Sequence, residues 1–334
     1  MISETPRFVT TITPQRISFA GGGTDFPDFY LNHGGAVVSS TIDKFVYVTV
    51  KRHSELFEER YRLSYSITEH VDDLNLIKND IARECLRFLN VDPPLFISTA
   101  SDLPVSSGLG SSSSFSVGLL LALHTLRGER VSSGQLAEEA CHIEIDVLGR
   151  PIGKQDQYAA AFGGLNFYEF MRDGRVRVES LWNRHNRMQD LFQASVLYWS
   201  GVQRQAEDVL FEQRANIPAR VNTLVRMTKL AEECRSVILE SSDFLSRVGL
   251  ILNSGWSHKR TLATSVSSDA IDSRVKRALE AGASGAKIAG AGGGGFLYVL
   301  ADPKIHNLIA SVLPEMRQVR FGYSPAGARV LVSI

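Results

Sequence analysis

LPVSSGLGSSSS, residues 103–114, is followed directly by the apolar run FSVGLLLALHTL. Serines in front of an apolar run are typical of a helix start, so the sequence predicts a helix over residues 112–126. Gly108 and Gly110 lie in the loop before it, where glycine lets the backbone approach a ligand closely. The first turn of a helix also offers unpaired N–H groups and a dipole that favours an anion. We therefore predict that this loop binds a phosphate group.

Two more glycine-rich segments flank this loop in the chain, PQRISFAGGGTD at residues 14–25 and KIAGAGGGG at residues 287–295. A tight turn would explain any one such segment, but three in one chain favour a shared ligand site. A Walker A loop is excluded because that motif needs a lysine where Ser111 follows Gly110.

The third segment also matches the dinucleotide-binding string G-x-G-x-x-G, through Gly290, Gly292 and Gly295. That motif needs a helix after it, whereas the residues that follow here, FLYVL, are typical of a strand. An oxidoreductase is therefore disfavoured, and that alternative would require binding of NAD(P).

The bulk composition limits the classes of protein to consider. The chain has 334 residues, 44% of them hydrophobic, with 36 basic and 36 acidic residues. This predicts a two-domain globular protein without long-range attraction to nucleic acid or an anionic membrane. The three cysteines form no C-x-x-C pair, which favours a reducing cytoplasm. The N-terminus lacks the apolar core of a signal peptide, and the longest apolar run, residues 117–123, is too short to span a bilayer.

Strand and helix patterns along the chain predict an α+β protein. Charged residues over 171–187 mark the predicted domain boundary, beyond which long amphipathic helices dominate. The predicted strands cover residues 46–50, 94–97, 295–300 and 319–323, and the predicted helices cover residues 112–126, 133–147, 206–240, 242–252, 269–281 and 304–313.

Two carboxylates stand close together in HIEIDVLGRPIGKQDQY, residues 142–158. Glu144 falls on a predicted helix and Asp156 in the loop after it. One of them could bind magnesium while the other orients or deprotonates a hydroxyl group. The alternative is that Glu144 is an exposed helix residue and Asp156 caps a helix over residues 157–162.

Taken together, these motifs resemble those of the GHMP kinases, the family of galactokinases, mevalonate kinases and their relatives. The pattern P-x-x-x-G-L-G-S-S is present in full from Pro104 to Ser112, and the other two glycine-rich segments resemble the first and third family motifs in the same order. The resemblance covers nearly the whole chain. It implies a two-domain α+β fold, with an N-terminal ATP-binding domain over residues 1–180, a ferredoxin-like C-terminal domain over residues 181–334 and the active site between them.

Within that family, AGGGTD at residues 20–25 and QDQYAAAFGGLNFYEF at residues 155–170 resemble the sugar 1-kinases that act on a heptose 7-phosphate. Fucose kinases share parts of both stretches. Galactokinases carry a Glu-His pair where this chain has Gly22 and Gly23, which disfavours galactose. The implied substrates are ATP and a sugar phosphate, and the oligomeric state is left open, with a homodimer as one form. A regulator without catalysis is the alternative from another class, and it would be expected to lack Asp156 or the metal ligands.

The resemblance also implies roles for individual residues. Asp156 would be the general base or the group that orients the acceptor hydroxyl, and Arg16 would stabilise charge on the transferring phosphoryl group. Ser112 and Glu144 would hold Mg²⁺. The ATP-binding residues would be Pro104, Ser107, Gly108, Leu109, Gly110, Ser111, Ser112 and Ser113. The substrate-binding residues would be Gly22, Gly23, Thr24, Asp25, Lys154, Arg204, Gly292 and Gly293.

Two further expectations concern the cations that bind the 7-phosphate and the region that binds the adenine of ATP. A 7-phosphate needs a cationic partner, for which Arg150 is a candidate beside Lys154 and Arg204. His258, Lys259 and Arg260 form a basic cluster for which a surface position is favoured. Residues 75–80 are the region considered for the adenine.

Overall fold

Two β-sheets and the helices that cover them make up the protein. The computed structural model describes residues 6–54, 56–181, 185–202 and 206–334. The strands are β1 (Phe8–Ala20), β2 (Gly35–Arg52), β3 (Tyr61–Ser64), β4 (Thr68–Val71), β5 (Leu95–Ser101), β6 (Leu165–Phe170), β7 (Val176–Ser180), β8 (Ser195–Trp199), β9 (Gly285–Ile288), β10 (Phe296–Leu300), β11 (Arg317–Val319) and β12 (Arg329–Ser333). The helices are α1 (Pro27–His33), α2 (Asp80–Leu89), α3 (Ser111–Leu126), α4 (Ser133–Cys141), α5 (Gln155–Phe162), α6 (His185–Gln193), α7 (Ala206–Glu240), α8 (Phe244–Lys259), α9 (Asp269–Glu280) and α10 (His306–Val312).

The larger sheet is organised around β1 and β2. In the described part of the chain it has eight strands in the order β12-β1-β2-β5-β3-β4, with β6 and β7 continuing from β2. Strand β2 is long enough for two neighbours on one side, since residues 46–52 pair with β5 and residues 35–40 pair with β6. Strand β1 is buried along almost its whole length. It therefore carries Arg16 and the first glycine-rich segment into the interior of the molecule.

Helix α3 packs across β1 and β2. The Thr11 hydroxyl of β1 donates a hydrogen bond of 2.9 Å to the carbonyl oxygen of Gly118. Several apolar residues of α3 have no exposed surface, among them Val117, Leu119, Leu120 and Leu123. Each such side chain contributes about 1.5–3 kcal/mol of hydrophobic stabilisation. This packing fixes the first turn of α3, and the glycine loop before it, against the sheet.

The smaller sheet has the ferredoxin-like arrangement. Its strand order is β11-β8-β10-β9, with antiparallel neighbours throughout the described residues. The chain passes through this sheet as strand, helices, strand, strand, helix and strand. The first strand therefore lies between the fourth and the third, as in a split β-α-β unit. The predicted α+β class is confirmed.

The long helices α7 and α8 join the two sheets. One hydrophobic cluster includes residues from both sheets and both helices: Ile17, Phe19, Val38, Ala231, Cys234, Val248, Leu252, Phe296 and Tyr298. Because this core is continuous, it fixes the cleft between the two domains.

Most predicted elements are confirmed, and α7 has the predicted bounds. The helix predicted over residues 133–147 is α-helical only to Cys141 and continues as a π-helical turn, His142–Val147. The strand predicted over residues 319–323 is wrong, because β11 ends at Val319. Beyond it the chain turns to the larger sheet, where the Asp43 N–H donates to the Gly322 carbonyl oxygen at 2.9 Å.

The last strand, β12, pairs with β1. It lies in the larger sheet although the division at residue 180 assigns it to the second domain. The pairing covers the free edge of β1, whose N–H and C=O groups would otherwise lack partners. The division itself falls between β7 and α6.

The first glycine-rich segment depends on a close backbone contact, which gives a stability prediction. Gly21 has φ +84°, and a Cβ there would lie 1.9 Å from the Ala36 carbonyl oxygen. Gly174 has φ +86° but open space around it. Gly21→Ala should lower the free energy of unfolding by about 3 kcal/mol, through backbone strain plus overpacking.

Gly174→Ala is the matched control, since it introduces only the strain of about 1 kcal/mol. Urea unfolding of both variants measures the difference. Equal losses in the two variants would contradict the proposed close contact at Gly21.

Candidate active site

A cavity of about 440 Å³ lies between the two domains. All three glycine-rich segments and both predicted carboxylates reach it, and its lining includes Arg16, Gly23, Asp25, Gly108, Gly110, Glu144, Asp156, Gly290 and Ala291. The fold therefore brings together segments that are far apart in the sequence.

Helix α3 begins at this cavity. Gly110 precedes its first residue, Ser111. The predicted ATP-binding residues that line the cavity are Gly108, Gly110, Ser111, Ser112 and Ser113. The remaining three do not: Ser107 and Leu109 are fully buried and Pro104 is exposed at the start of the loop. A helix start that opens into a cavity is suited to an anion.

Arg16 and Asp156 form a bidentate ion pair in the cavity. The Arg16 Nε and Nη2 atoms donate to the two carboxylate oxygens of Asp156, each at 2.6 Å. The third nitrogen, Nη1, donates to the Gly108 carbonyl oxygen at 2.8 Å. Arg16 comes from β1 and Asp156 from the first turn of α5. The arginine therefore fixes the carboxylate beside the glycine loop through strong charge-assisted hydrogen bonds.

Glu144 is fully buried, so its alternative as an exposed helix residue is excluded. The π-helical turn carries it, and such turns often occur at functional sites. The Ser112 hydroxyl donates to Glu144 Oε1 at 3.0 Å, and the Gln157 amide donates to Oε2 at 2.8 Å. Burial raises the pKa of Glu144, while the Arg150 guanidinium opposes that shift. A carboxylate and a hydroxyl thus meet beside the start of α3.

The Arg150 guanidinium lies beside the Glu144 carboxylate, and its contacts with neighbouring side chains hold it there. Its Nη1 donates to the Ser112 hydroxyl at 2.9 Å and lies 3.6 Å from Glu144 Oε1. Its Nη2 contacts Asp80 Oδ1 at 2.9 Å, at the start of α2. Its Nε also lies 3.8 Å from Glu207 Oε1, so its charge is shared among three acids. None of residues 75–80 lines the cavity.

Asp25 lies in the cavity with a fully organised carboxylate. The Gly23 N–H donates to Oδ1 at 2.9 Å and the Gln155 N–H to Oδ2 at 3.1 Å. Burial raises the pKa of Asp25, and the nearby charge of Asp156 adds to that shift. Thr24 instead holds the loop in place, because its hydroxyl donates to the Ala36 carbonyl oxygen at 2.9 Å. Gly22 faces a smaller recess beside the main cavity.

Lys259 lines the cavity, although the sequence favoured a surface position for it. The expected surface position is contradicted, because Lys259 is 9% exposed and lines the cavity. Arg260 pairs with Asp272 at the surface. The helical spacing could have predicted this buried position, because Lys259 lies on the same face of α8 as three buried residues: Val248, Leu252 and Trp256.

Three other predicted substrate-binding residues do not reach the cavity. The Lys154 ammonium lies 3.0 Å from the carboxylate of Glu138. The Gly293 N–H donates to the Val266 carbonyl oxygen at 2.7 Å, and a Cβ at Gly292 would lie 2.6 Å from the same oxygen. Gly292 and Gly293 therefore serve packing within the second domain. Arg204 lies outside the described residues.

Two further features concern metal ligands and membrane spans in the described residues. They contain no group of three or more His, Cys, Asp or Glu side chains placed to hold a metal ion. No helix in the same ranges has the length and apolar character needed to cross a membrane.

Sequence comparisons identify the family. Residues 75–164 match the GHMP kinases N terminal domain, and residues 241–316 match the GHMP kinases C terminal domain. The chain is 30% identical to D-glycero-alpha-D-manno-heptose 7-phosphate kinase of Campylobacter jejuni, over 96% of this chain and 98% of that protein. It is 27% identical to mevalonate kinase of Pyrococcus furiosus, over 79% of this chain and 75% of that protein.

Solved structures share the fold. A D-glycero-D-manno-heptose 1-phosphate kinase from Bacteroides thetaiotaomicron superimposes with a TM-score of 0.80 at 24% identity, covering 97% of this chain and 99% of the other. Galactokinase of Lactococcus lactis superimposes with a TM-score of 0.76 at 17% identity, covering 98% and 96%. Together with the match to the Campylobacter kinase, the two family domains establish that this chain belongs to the GHMP kinases and is a phosphotransferase with an alcohol group as acceptor.

Proposed function

We propose that this kinase transfers the γ-phosphoryl group of ATP to the anomeric hydroxyl of D-glycero-D-manno-heptose 7-phosphate, giving the 1,7-bisphosphate. The observation that carries the chemistry is the Arg16–Asp156 pair beside the start of α3. The choice of sugar is supported by the name of the Campylobacter relative, which matches along nearly the whole chain.

The triphosphate is placed at the start of α3. The N–H groups of the first helical turn and the hydroxyls of Ser111, Ser112 and Ser113 face the cavity there. Ser107 and Leu109 belong to the same loop but are fully buried, so any contribution they make to binding is indirect.

Magnesium fits the oxygen pair of Ser112 and Glu144. Mg²⁺ is usually held by one or two carboxylates together with phosphate oxygens, so one buried carboxylate and one hydroxyl beside a phosphate site suffice. When bound, the ion neutralises charge on the phosphate oxygens. Arg150, which donates to Ser112 in this structure, is near enough to contact the same phosphates.

Asp156 faces the acceptor hydroxyl in the proposed reaction. The anomeric oxygen forms a bond to the γ-phosphorus, the bond from that phosphorus to the β–γ bridging oxygen breaks, and ADP leaves. Asp156 accepts a hydrogen bond from the hydroxyl and takes its proton where transfer is base-assisted, although a loose transition state also permits a purely orienting role. Arg16 keeps the carboxylate in position and adds positive charge next to the transferring group.

The sugar ring is placed against Asp25 and Gly23. The buried Asp25 carboxylate is held by backbone N–H groups and has its remaining lone pairs available for sugar hydroxyls. Gly22 and Gly23 have no side chains, which leaves room for an acceptor larger than a hexose. The product would supply nucleotide-activated heptose for lipopolysaccharide or capsule, in the cytoplasm where ATP is available.

A panel of acceptors tests the choice of sugar. Release of ADP from Mg-ATP is measured with heptose 7-phosphate, mannose 6-phosphate, fucose, galactose and mevalonate. The highest kcat/KM is expected for heptose 7-phosphate. A clear preference for fucose would instead identify a fucose-type kinase, and a preference for any unphosphorylated sugar would reject the proposed substrate.

The role of Asp156 is tested by Asp156→Asn, which keeps the shape of the side chain and removes its charge. We expect kcat to fall by about 10²–10⁴-fold, the usual contribution of a positioned acid–base group. The Kd for ATP, measured by calorimetry, should stay within a few-fold of the original.

The matched control is Asp173→Asn, which breaks an exposed Asp–Arg pair that does not line the cavity. Its kcat should be unchanged. Near-normal turnover by Asp156→Asn would reject the catalytic role of Asp156.

The metal site is tested by Glu144→Gln. Because the neutral amide binds Mg²⁺ poorly, the Mg²⁺ concentration for half-maximal rate should rise by about tenfold or more. Magnesium titrations at fixed ATP measure this, with the exposed Glu232→Gln on α7 as control. An unaltered requirement in Glu144→Gln would assign the metal to other ligands.

A further inference from the structure

A small recess opens beside the main cavity, behind Gly22. Its volume is about 20 Å³, and Lys287 of β9 forms part of its wall. Arg16, Gln155, Lys259 and Gly290 line both the recess and the main cavity, so the two spaces adjoin. A space of this size admits about one water-sized group. Oxygen atoms of a ligand that lies in the main cavity can therefore enter it.

The side chains of the two lysines of the recess are not held by an ion pair in the described residues. Among the described residues, no hydrogen bond or ion pair is made by the ammonium group of Lys259 or of Lys287. Lys259 is more than nine-tenths buried, and Lys287 is half-buried. A buried charge without a partner is costly, and it commonly marks a site where a ligand supplies the opposite charge.

The space in front of Gly22 is surrounded by hydrogen-bond donors. A Cβ at Gly22 would lie 3.4 Å from the Ser18 hydroxyl and 3.7 Å from both Gln155 Nε2 and Lys259 Nζ. The Ser18 hydroxyl is buried and has no hydrogen-bond partner among the described residues. A hydroxyl, an amide and an ammonium thus face a space that no side chain fills. Such a set of donors fits the oxygens of a phosphate group.

The electrostatics of the recess support an anionic guest. Burial lowers the pKa of Lys259 to about 8 and that of Lys287 to about 7, and the charge of Lys259 adds to the shift of Lys287. Arg16 on β1 lowers both pKa values, whereas Asp25 and Asp156 raise that of Lys259. The Cys234 thiol on α7 also faces Lys287. A bound dianion would stabilise the charged form of both lysines.

We propose that Lys259 and Lys287 bind the phosphate group carried by the sugar acceptor, and that Gly22 keeps open the space into which its oxygens reach. This inference rests on the proposed function, because it needs an acceptor that bears a phosphate. The sugar then extends from its reacting hydroxyl at Asp156, past Asp25, to the recess. Lys154 and Arg150, the described cations named from sequence for this role, are already paired with Glu138 and Asp80.

The test compares Lys259→Met, Lys287→Met and the double variant with the original enzyme. Methionine keeps the length of the side chain and removes its charge. The KM for heptose 7-phosphate should rise about 10–100-fold for each single variant, the usual effect of losing a hydrogen bond to a charged group. The KM for ATP should stay within twofold. The exposed Lys276→Met on α9 is the matched control and should change neither value.

Heptose without its 7-phosphate separates phosphate binding from other effects of these variants. The original enzyme should use it poorly, and the lysine variants should use it equally poorly. Gly22→Val adds a steric test, since it fills the recess and leaves both lysines in place. It should raise the KM for heptose 7-phosphate about tenfold and that for the unphosphorylated heptose by much less, whereas equal rises would contradict a phosphate site behind Gly22.

Thermal unfolding gives a readout that does not depend on turnover. Without ligand, the lysine variants should be at least as stable as the original, because an unpaired buried charge has been removed. Heptose 7-phosphate alone should raise the Tm of the original enzyme and of Lys276→Met, but not of the double variant. Equal Tm shifts in all proteins would overturn the proposal.

The kinetic outcomes are also distinguishable from one another. A raised KM for ATP with an unaltered KM for the sugar would mean that the lysines hold nucleotide phosphates. A lower kcat alone would mean that they position Asp156. Either result overturns the inference and leaves the proposed function standing. An original enzyme that accepts only unphosphorylated sugars would overturn both.

Discussion

The ion pair between Arg16 and Asp156 is the constraint on which the rest of the site depends. It joins the buried strand β1 to the start of α5, and the third nitrogen of the same guanidinium holds the Gly108 carbonyl oxygen. The glycine loop must therefore approach both residues, and a Cβ at Gly110 would already lie 3.3 Å from Asp156 Oδ2. One arginine of the buried strand β1 thus sets the position of the Asp156 carboxylate relative to the first turn of α3.

The glycines have two functions that the sequence cannot separate. Gly108 and Gly290 belong to different domains, and a Cβ on Gly290 would lie 2.4 Å from the Gly108 carbonyl oxygen. Gly292 and Gly295 meet the backbone of Val266 and Ser107 in the same way. The third glycine-rich segment is therefore mainly a close-packing element that brings the domains together. Of this segment, Gly290 and Ala291 line the main cavity, and Lys287 and Gly290 line the recess beside it. Whether a given glycine serves packing or ligand binding therefore depends on its individual contacts in the structure.

Sequence patterns predicted those elements of the fold that depend on interactions between residues close together in the chain. Helix α3 follows from serines before an apolar run, and the bounds of α7 follow from its long amphipathic pattern. The π-helical turn at Glu144 and the end of β11 depend on tertiary contacts, which a periodic pattern does not report. Motif residues such as Arg16 and Asp156 could be named from sequence because their chemistry needs a fixed residue type. The buried position of Lys259 was not predicted, because its charge suggested the surface whereas its place on α8 lies on the buried face.

The chain has no net charge, but the charged side chains in its cleft are not all paired. Asp156 is neutralised by Arg16 and Glu144 lies beside Arg150, whereas Lys259 and Lys287 have no such partner among the described residues. A fold selected only for stability would replace two such lysines by apolar residues. We propose that the opposite charge arrives with the substrate, since binding then removes a cost that the free enzyme bears. The same site that lowers the stability of the free protein would in this way discriminate between acceptors with and without a phosphate group.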